Sequence, residues 1–285
     1  MLVNPAAAGG RALKRLPHAT GELERLGAEH RVVHTRDIDH AAAATREAAD
    51  AGETVAAMGG DGLLRPLAGV LRGRDTGLAI IPGGRGNDLA RVLGIPSDPV
   101  EAARLAVEGE ERLLDVAEVD GTPYLGIASF GFDSDANRIA NETKFVRGDL
   151  VYLYAALKAL VKWKPARFTV TVDGKRHELS GYSIAVANSR AYGGGMFLAP
   201  HAELDDGLLD VVATTDVSKL KSLRGLPSVF KGEHLAHPWV TTMRGARIEV
   251  AADRPFEIYA DGDPIGSVPA TMAVHRQALR VIAPR

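Results

Sequence analysis

An α/β half followed by a β-rich half is the architecture this sequence predicts, and three features predict it. Up to about Glu108, short apolar runs alternate with helix-patterned segments. Beyond Glu110 the apolar runs become brief and closely spaced, with turn residues between them. Two glycine-rich loops each follow one of the early apolar runs. At 285 residues the chain is long for a single core, and the change of texture at 109–115 divides it into domains 1–112 and 113–285.

Taken in order, Met1–Val3 reads as the tail of a strand, short enough to leave open a natural start further upstream. The small-residue turn Asn4–Gly10 leads into a helix carrying Leu13, Leu16, Leu23 and Leu26. A strand over His30–Thr35, an alanine-rich helix over Ile38–Ala51, a strand over Thr54–Met58 and a helix over Gly62–Arg72 follow. Leu78–Ile81 is a buried-strand run, Pro82–Asp88 a second glycine loop, and Asn87–Leu93 a short helix. Asp98-Pro99 forms an N-cap and first-turn pair for a helix reaching Glu108, so the first half is a parallel sheet covered by helices. In the second half, strands are expected at 112–119, 124–129, 167–172, 182–187, 207–213, 247–251, 258–260, 271–274 and 279–282. Helices are expected at 135–143, 149–162 and 217–230.

Composition narrows the function. A net charge of −2 with interspersed signs argues against a general nucleic-acid binder. The absence of cysteine excludes disulfides, thiolate zinc sites and a cysteine nucleophile, and fits a reducing cytoplasm. No apolar run is long enough to span a membrane. The nine histidines show no metal-ligand spacing, with His234 and His237 reading as surface or capping residues, and no serine sits in a Gly-x-Ser-x-Gly elbow.

The stretch with chemical content is Gly59-Gly60-Asp61-Gly62, entered from the apolar run Val55–Met58 and left through a helix bearing Leu63, Leu64, Leu67, Val70 and Leu71. Glycines allow close approach of backbone N–H groups to a phosphate, and a helix N-terminus favours an anion there. Asp61 would be repelled by phosphate unless a cation lay between them, so the loop points to Mg2+ and phosphoryl transfer. The plainer alternative is that Asp61 only caps the helix that follows it.

Asn4-Pro5, Gly59-Gly60-Asp61-Gly62, Pro82-Gly83-Gly84-Arg85-Gly86-Asn87-Asp88 and Asp261-Gly262-Asp263 occur together in the order and spacing of diacylglycerol-kinase-type lipid kinases, and the chain resembles a bacterial member of that family. Gly131-Phe132-Asp133, Asn188, Gly194-Gly195-Met196, Pro200 with Ala202, and Asp205–Asp210 extend the likeness, which reaches the sphingosine-kinase-like branch. The glycine loop alone is shared with NAD kinases and phosphofructokinases. The resemblance implies an N-terminal α/β nucleotide domain, a C-terminal β-sandwich and an active-site cleft between them. It implies that ATP is held by Asn4, Pro5, Ala6, Ala7, Ala8, Gly9, Thr35, Gly59, Gly60, Asp61, Gly62, Leu63, Leu64 and Arg65, with Arg85 contributing from the second loop. It makes Asp263 the general base, where the family usually has Glu, and it maps a structural Mg2+ to the Glu203 and Leu208 carbonyls with the Asp206 side chain.

Two family threonines are replaced here, by Leu63 and Arg85. Leu63 offers phosphate no hydrogen bond, whereas Arg85 offers a cationic fork. The reading is an ATP- and Mg2+-dependent lipid kinase acting on diacylglycerol or a related membrane lipid, cytoplasmic, with peripheral contact at the inner membrane face and a homodimer both compatible with it. A catalytically silent nucleotide- or lipid-binding homologue is the first alternative and an NAD kinase the second. Leu150, Val151, Tyr152, Leu153, Tyr154, Leu157, Leu160 and Val161, flanked by Lys144, Arg147, Lys158, Lys162 and Lys164, give an apolar helix face. It is the first choice for membrane contact, with packing on its own domain as the ordinary alternative.

Overall fold

Alternation of buried β-branched and small residues with amphipathic helices builds the first half as expected. The computed structural model describes residues 1–132, 134–135, 138–139, 143, 154–155, 158–159 and 163–285. In chain order the first half contains β1 (Leu2–Val3), α1 (Arg11–Arg25), β2 (Val33–His34), α2 (Ile38–Asp50), β3 (Val55–Gly59), α3 (Asp61–Leu71), β4 (Gly77–Pro82), α4 (Asp88–Val92) and α5 (Pro99–Glu108). The strands run parallel in the order β2, β1, β3, β4. All six residues of β4 are buried, as a strand covered on both faces requires. Asp98 caps α5, accepting from the N–H groups of Val100 and Glu101, and Pro99 takes the first turn. α1 packs on α5 and α2 on α3.

The second half contains β5 (Glu110–Val119), β6 (Thr122–Tyr124), β7 (Ile127–Gly131), β8 (Ala166–Val172), β9 (Lys175–Ala187), β10 (Leu209–Thr215), α6 (Lys219–Val229), β11 (Val240–Gly245), β12 (Arg247–Ala252), β13 (Glu257–Ala260), β14 (Asp263–Ser267) and β15 (Ala270–Ala283). These strands pair antiparallel around a second core that includes Phe130, Phe168, Ile184, Val211 and Ile248. The C-terminal half of β9 lies between β7 and β10, while its N-terminal half pairs with β8 as a hairpin.

β15 joins the two halves. Its first part pairs with β12, much of its length with β5, and Arg280–Ile282 run parallel to Gly77–Ala79 of β4. The sequence pattern predicts two strands here, 271–274 and 279–282. One continuous strand is found instead, interrupted by a bulge between His275 and Leu279 where Gln277 has a φ of 50°. β6, β11 and β14 are additional to the expected strands, and β2 is shorter than expected. The segments expected to form helices at 135–143 and 149–162, the apolar face proposed for membrane contact, and Asp133 fall wholly or largely outside the described residues. Among the described residues no helix is long and apolar enough to cross a membrane.

Candidate active site

The two glycine loops interlock. Gly83 and Gly84 both donate backbone N–H bonds to the Gly59 carbonyl, at 2.8 and 3.0 Å. A Cβ on Gly60 would lie 3.1 Å from the Gly84 Cα, so the contact is backbone on backbone. Asn87, at a φ of 52°, closes the second loop with its amide: Oδ1 accepts from Gly84 N–H at 2.8 Å and Nδ2 donates to the Gly84 carbonyl at 3.1 Å. The first loop joins them at Asn4, whose N–H donates to the Met58 carbonyl and whose Oδ1 accepts from Ala6 N–H.

Asp61 ties these loops to the next helix. It is the first residue of α3, which Gly60 caps without a side chain, and its carboxylate accepts from the N–H groups of Asp88 and Leu89 at 3.1 and 3.2 Å. The simple capping alternative is therefore corrected: Asp61 caps α4, not its own helix. Leu63 is buried against Gly59 and Leu64 is buried at the cavity wall. Thr35 is buried, with both its hydroxyl and its N–H donating to the Val3 carbonyl. Arg65 is largely buried, its Nε without a partner and its Nη2 3.4 Å from the Asp263 carboxylate. Asp263 opens β14, stands half exposed and approaches the position a Cβ would take on Gly62, at 3.4 Å.

A cavity of about 170 Å³ lies between the halves, with Asp61, Arg85, Asp88, Asp261, Tyr192 and Gly194 in its lining. Asp261 has a φ of 52°, and its two carboxylate oxygens accept from the N–H groups of Leu125 and Gly126, each at 2.9 Å. A Cβ on Gly126 would lie 2.5 Å from Asp261 Oδ1, so that close approach requires glycine. Burial pushes the Asp261 carboxyl up to about 7, and the neighbouring Asp61 charge acts in the same direction against the two N–H donors. Burial likewise raises Asp88, again with Asp61 contributing. Asp88 accepts from Gly194 N–H at 2.9 Å through Oδ2, while its buried Oδ1 has no hydrogen-bond partner. Both oxygens of Asp61 and both of Asp261 accept backbone N–H groups, so Asp88 Oδ1, which faces the Arg91 guanidinium at 3.9 Å, is the one oxygen of the three carboxylates without a hydrogen bond. Among the described residues no group of three or more such side chains is placed to hold a metal ion, so a hard cation here would need further oxygens from a bound phosphate.

The structure thus brings Asp61, Leu64 and Arg85 together at the cavity and places Asp263 and Arg65 beyond the Asp261-Gly262 turn. The Asn4–Gly9 turn is close to Gly59 but does not line the cavity. No sequence pattern assigns a role to Asp88 or Asp261, although both lie in the quoted motifs. Their partners come from residues 125, 126 and 194, which no local pattern reveals.

The turn expected to hold a structural ion is organised differently. Fully buried Asp115 accepts from the N–H groups of Gly207 and Gln277, each at 2.6 Å. Asp206 accepts from Leu208 N–H through Oδ1 and is ion-paired with Arg244 through Oδ2, and Arg244 Nε lies 3.3 Å from Asp210. Both Asp206 oxygens are engaged and the local positive charge is a guanidinium. The residues as arranged do not fit Mg2+ at Glu203, Asp206 and Leu208.

Residues 1–119 match the diacylglycerol kinase catalytic domain, and residues 126–283 match the YegS C-terminal NAD kinase beta sandwich-like domain. A protein of Mycobacterium tuberculosis named diacylglycerol kinase is 34% identical over 295 residues, covering 100% of this chain and 94% of its own length. A probable lipid kinase YegS-like of Pseudomonas aeruginosa is 34% identical over 242 residues, covering 81% and 76%. The crystal structure of a diacylglycerol kinase from Bacillus anthracis superposes with a TM-score of 0.76 at 21% identity, covering 99% of this chain and 95% of its own, which speaks for the fold.

Interlocked glycine loops on a parallel sheet, facing carboxylates from a β-rich second half, together with these matches, define a lipid kinase. Within that class the chain belongs to the diacylglycerol kinase family, alongside the YegS-like lipid kinases.

Proposed function

We propose that the protein transfers the γ-phosphate of ATP, with Mg2+, to a hydroxyl of diacylglycerol or a related lipid. The observation that supports the metal-dependent part of this reading is the buried Asp88 Oδ1, which lacks a hydrogen bond and lies near Asp61 in the wall of the cavity. Asp61 and Asp88 would hold the cation. When bound, it neutralises charge on the phosphates and on the transferring group. Asn4–Gly9, Thr35 and Gly59–Arg65 make the nucleotide side of the cleft, in which the glycines admit the phosphates close to the backbone. Thr35 supports the turn through Val3 rather than by offering a free hydroxyl. Arg85, without an ion pair among the described residues, supplies a cationic fork for phosphate at the cavity.

Asp263 takes the proton of the lipid hydroxyl as its oxygen attacks phosphorus, and Arg65 positions that carboxylate. The half-exposed state of Asp263 supports access to an acceptor entering from outside. For the Asp206 turn we assign Arg244 as the cation in place of an ion. One observation favours a silent binder instead: Leu63 is turned into the core, so the hydroxyl usual at that position has no replacement on α3.

Transfer of labelled phosphate from ATP into a panel of lipids, with NAD as a parallel acceptor, tests the reading. Labelled lipid supports it, labelled NAD replaces it with nucleotide kinase activity, and ATP binding without transfer selects the silent binder. Asp263→Asn should lower lipid turnover by roughly 10²- to 10⁴-fold with ATP affinity retained, and Asp263→Glu should keep part of the activity.

A further inference from the structure

The most exposed large apolar side chains among the described residues include Leu220 (57%) and Phe230 (54%), at opposite ends of one short helix. α6 runs from Lys219 to Val229 and is capped by the Ser218 hydroxyl, which accepts from Lys221 N–H. Helical spacing puts Leu220, Arg224 and Pro227 on a single stripe, with Lys231 next in that series beyond the helix end, and all four are exposed. The opposite face is anchored. Val229 packs against the small core of Ile127, Leu198 and Val212, and Gly225 lies under the stacked rings of His237 and Trp239.

Charge on this stripe is of one sign. Lys219, Lys221, Arg224 and Lys231 have no acidic residue between Asp216 and Glu233. Lys221, Arg224 and Lys231 form no ion pair among the described residues, whereas elsewhere arginines are engaged, as Arg31 is with Glu47 and Glu53 and Arg280 with Asp75 and Glu111. In a chain of net charge −2 this is a local cationic surface with apolar side chains projecting from it.

The helix is also joined to the cavity wall. The Val229 carbonyl accepts from Phe197 N–H at 3.0 Å, and residues 192–196 form a turn closed by reciprocal bonds between Tyr192 and Met196, each 3.0 Å. Tyr192 and Gly194 on that turn line the cavity, and Gly194 N–H binds Asp88.

We infer that the outward face of α6, from Leu220 to Lys231, is a docking surface for an anionic lipid bilayer. It sets the acceptor side of the cavity against the membrane. Exposed leucine and phenylalanine enter the headgroup boundary while the cations meet lipid phosphates. Nucleic acid would use the cations but give Leu220 and Phe230 no favourable place. The inference rests on the lipid-acceptor reading of the cavity, and its first test requires no turnover.

Sedimentation of the full chain with vesicles, without ATP, measures docking directly. Binding to phosphatidylglycerol-containing vesicles and little to pure phosphatidylcholine is expected, with binding falling as salt is raised. The triple variant Lys221→Glu, Arg224→Glu, Lys231→Glu should bind anionic vesicles roughly tenfold or more weakly, and Leu220→Ser with Phe230→Ser should do the same. On a short-chain acceptor dispersed in water both variants should turn over as the wild type does, while on acceptor embedded in vesicles they should lose rate. Equal binding to both vesicle types, wild-type binding by both variants, or a wild-type dimer that Leu220→Ser with Phe230→Ser disperses would overturn the inference. If the triple variant does not fold, the salt series on the wild type and the apolar pair decide. Vesicle binding without any lipid phosphorylation would leave the docking surface standing and remove the kinase reading instead.

Discussion

Gly84 faces Gly60 so closely that a Cβ built on Gly84 would lie 2.3 Å from the Gly60 Cα. Neither glycine is there for a left-handed turn; the space between two loops allows no side chain. Gly84→Ala should force the loops apart, lowering stability by about 2–3 kcal/mol, the usual cost of overpacking against a fixed neighbour. Denaturant melts measure the loss, and calorimetry should show weaker nucleotide binding because Asn87 and α4 move with the loop.

Asp61 and Asp88 should respond differently to neutralisation. Asp61→Asn replaces a carboxylate that accepts two N–H bonds with an amide that presents N–H to one of them. Stability should fall by about 1 kcal/mol and Mg2+-dependent ATP binding should weaken. Asp88→Asn removes a buried charge that is repelled by Asp61 and offset only by the long, half-exposed Arg91 pair at 3.9 Å, so metal-free stability should change little while Mg2+-dependent binding is lost. Melting curves and calorimetry, each with and without Mg2+, separate the two. Identical behaviour of both variants would remove the proposed cation site.

Arg244 predicts the metal response of the second half. Added Mg2+ without nucleotide should leave wild-type melting of this region unshifted, since Asp206 and Asp210 already face a guanidinium. Arg244→Gln should lower the melting temperature and make it Mg2+-responsive, because the two freed carboxylates can then take an ion. A magnesium-dependent rise in the wild type would show that the ion displaces Arg244.

Glu22 predicts an acid limb to stability. Buried on α1, it accepts from Arg25 at 2.7 and 2.8 Å and from Arg104 of α5 at 2.9 Å, and the Arg25 hydrogen bonds, aided by Arg104, hold its carboxyl down at about 2, from an ordinary 4.5, despite its burial. A depressed folded value means the contribution is complete above pH 4.5 and fades as pH falls toward 2. Glu22→Gln should therefore melt lower than wild type at neutral pH, with the gap closing through that window. A gap that persists unchanged at pH 2 would assign the loss to packing.

Much of the fold was legible because it is written in local patterns. Buried runs such as Leu78–Ile81 and the Asp98-Pro99 cap signal their elements within a few residues. What was missed lacked such a signal. Lys175–Glu178 in β9 is a run of charged and polar residues on an exposed hairpin, with no apolar side chain before Leu179, and Arg276-Gln277 break the apolar run of β15 while the backbone continues through a bulge. At the site, the glycine loops announced themselves, but the environments of Asp88 and Asp261 depend on backbone donors from distant strands and turns. Arg244 is the plainest case: nothing near it in sequence marks it as the counterion of Asp206, 38 positions earlier.

The shared strand β15 also dictates an order of assembly during synthesis. Leu78 of β4 waits for Val281, roughly two hundred positions later, before that edge is paired, and such long-range pairing forms late. While the ribosome is still making the intervening chain, the parallel sheet presents an open, wholly apolar border of the kind that invites association with other nascent chains. The first half therefore keeps the Gly77–Ala79 stretch of β4 without its final strand partner until the end of the chain is made. The sheet is complete only when β15 lies between β4 and β5.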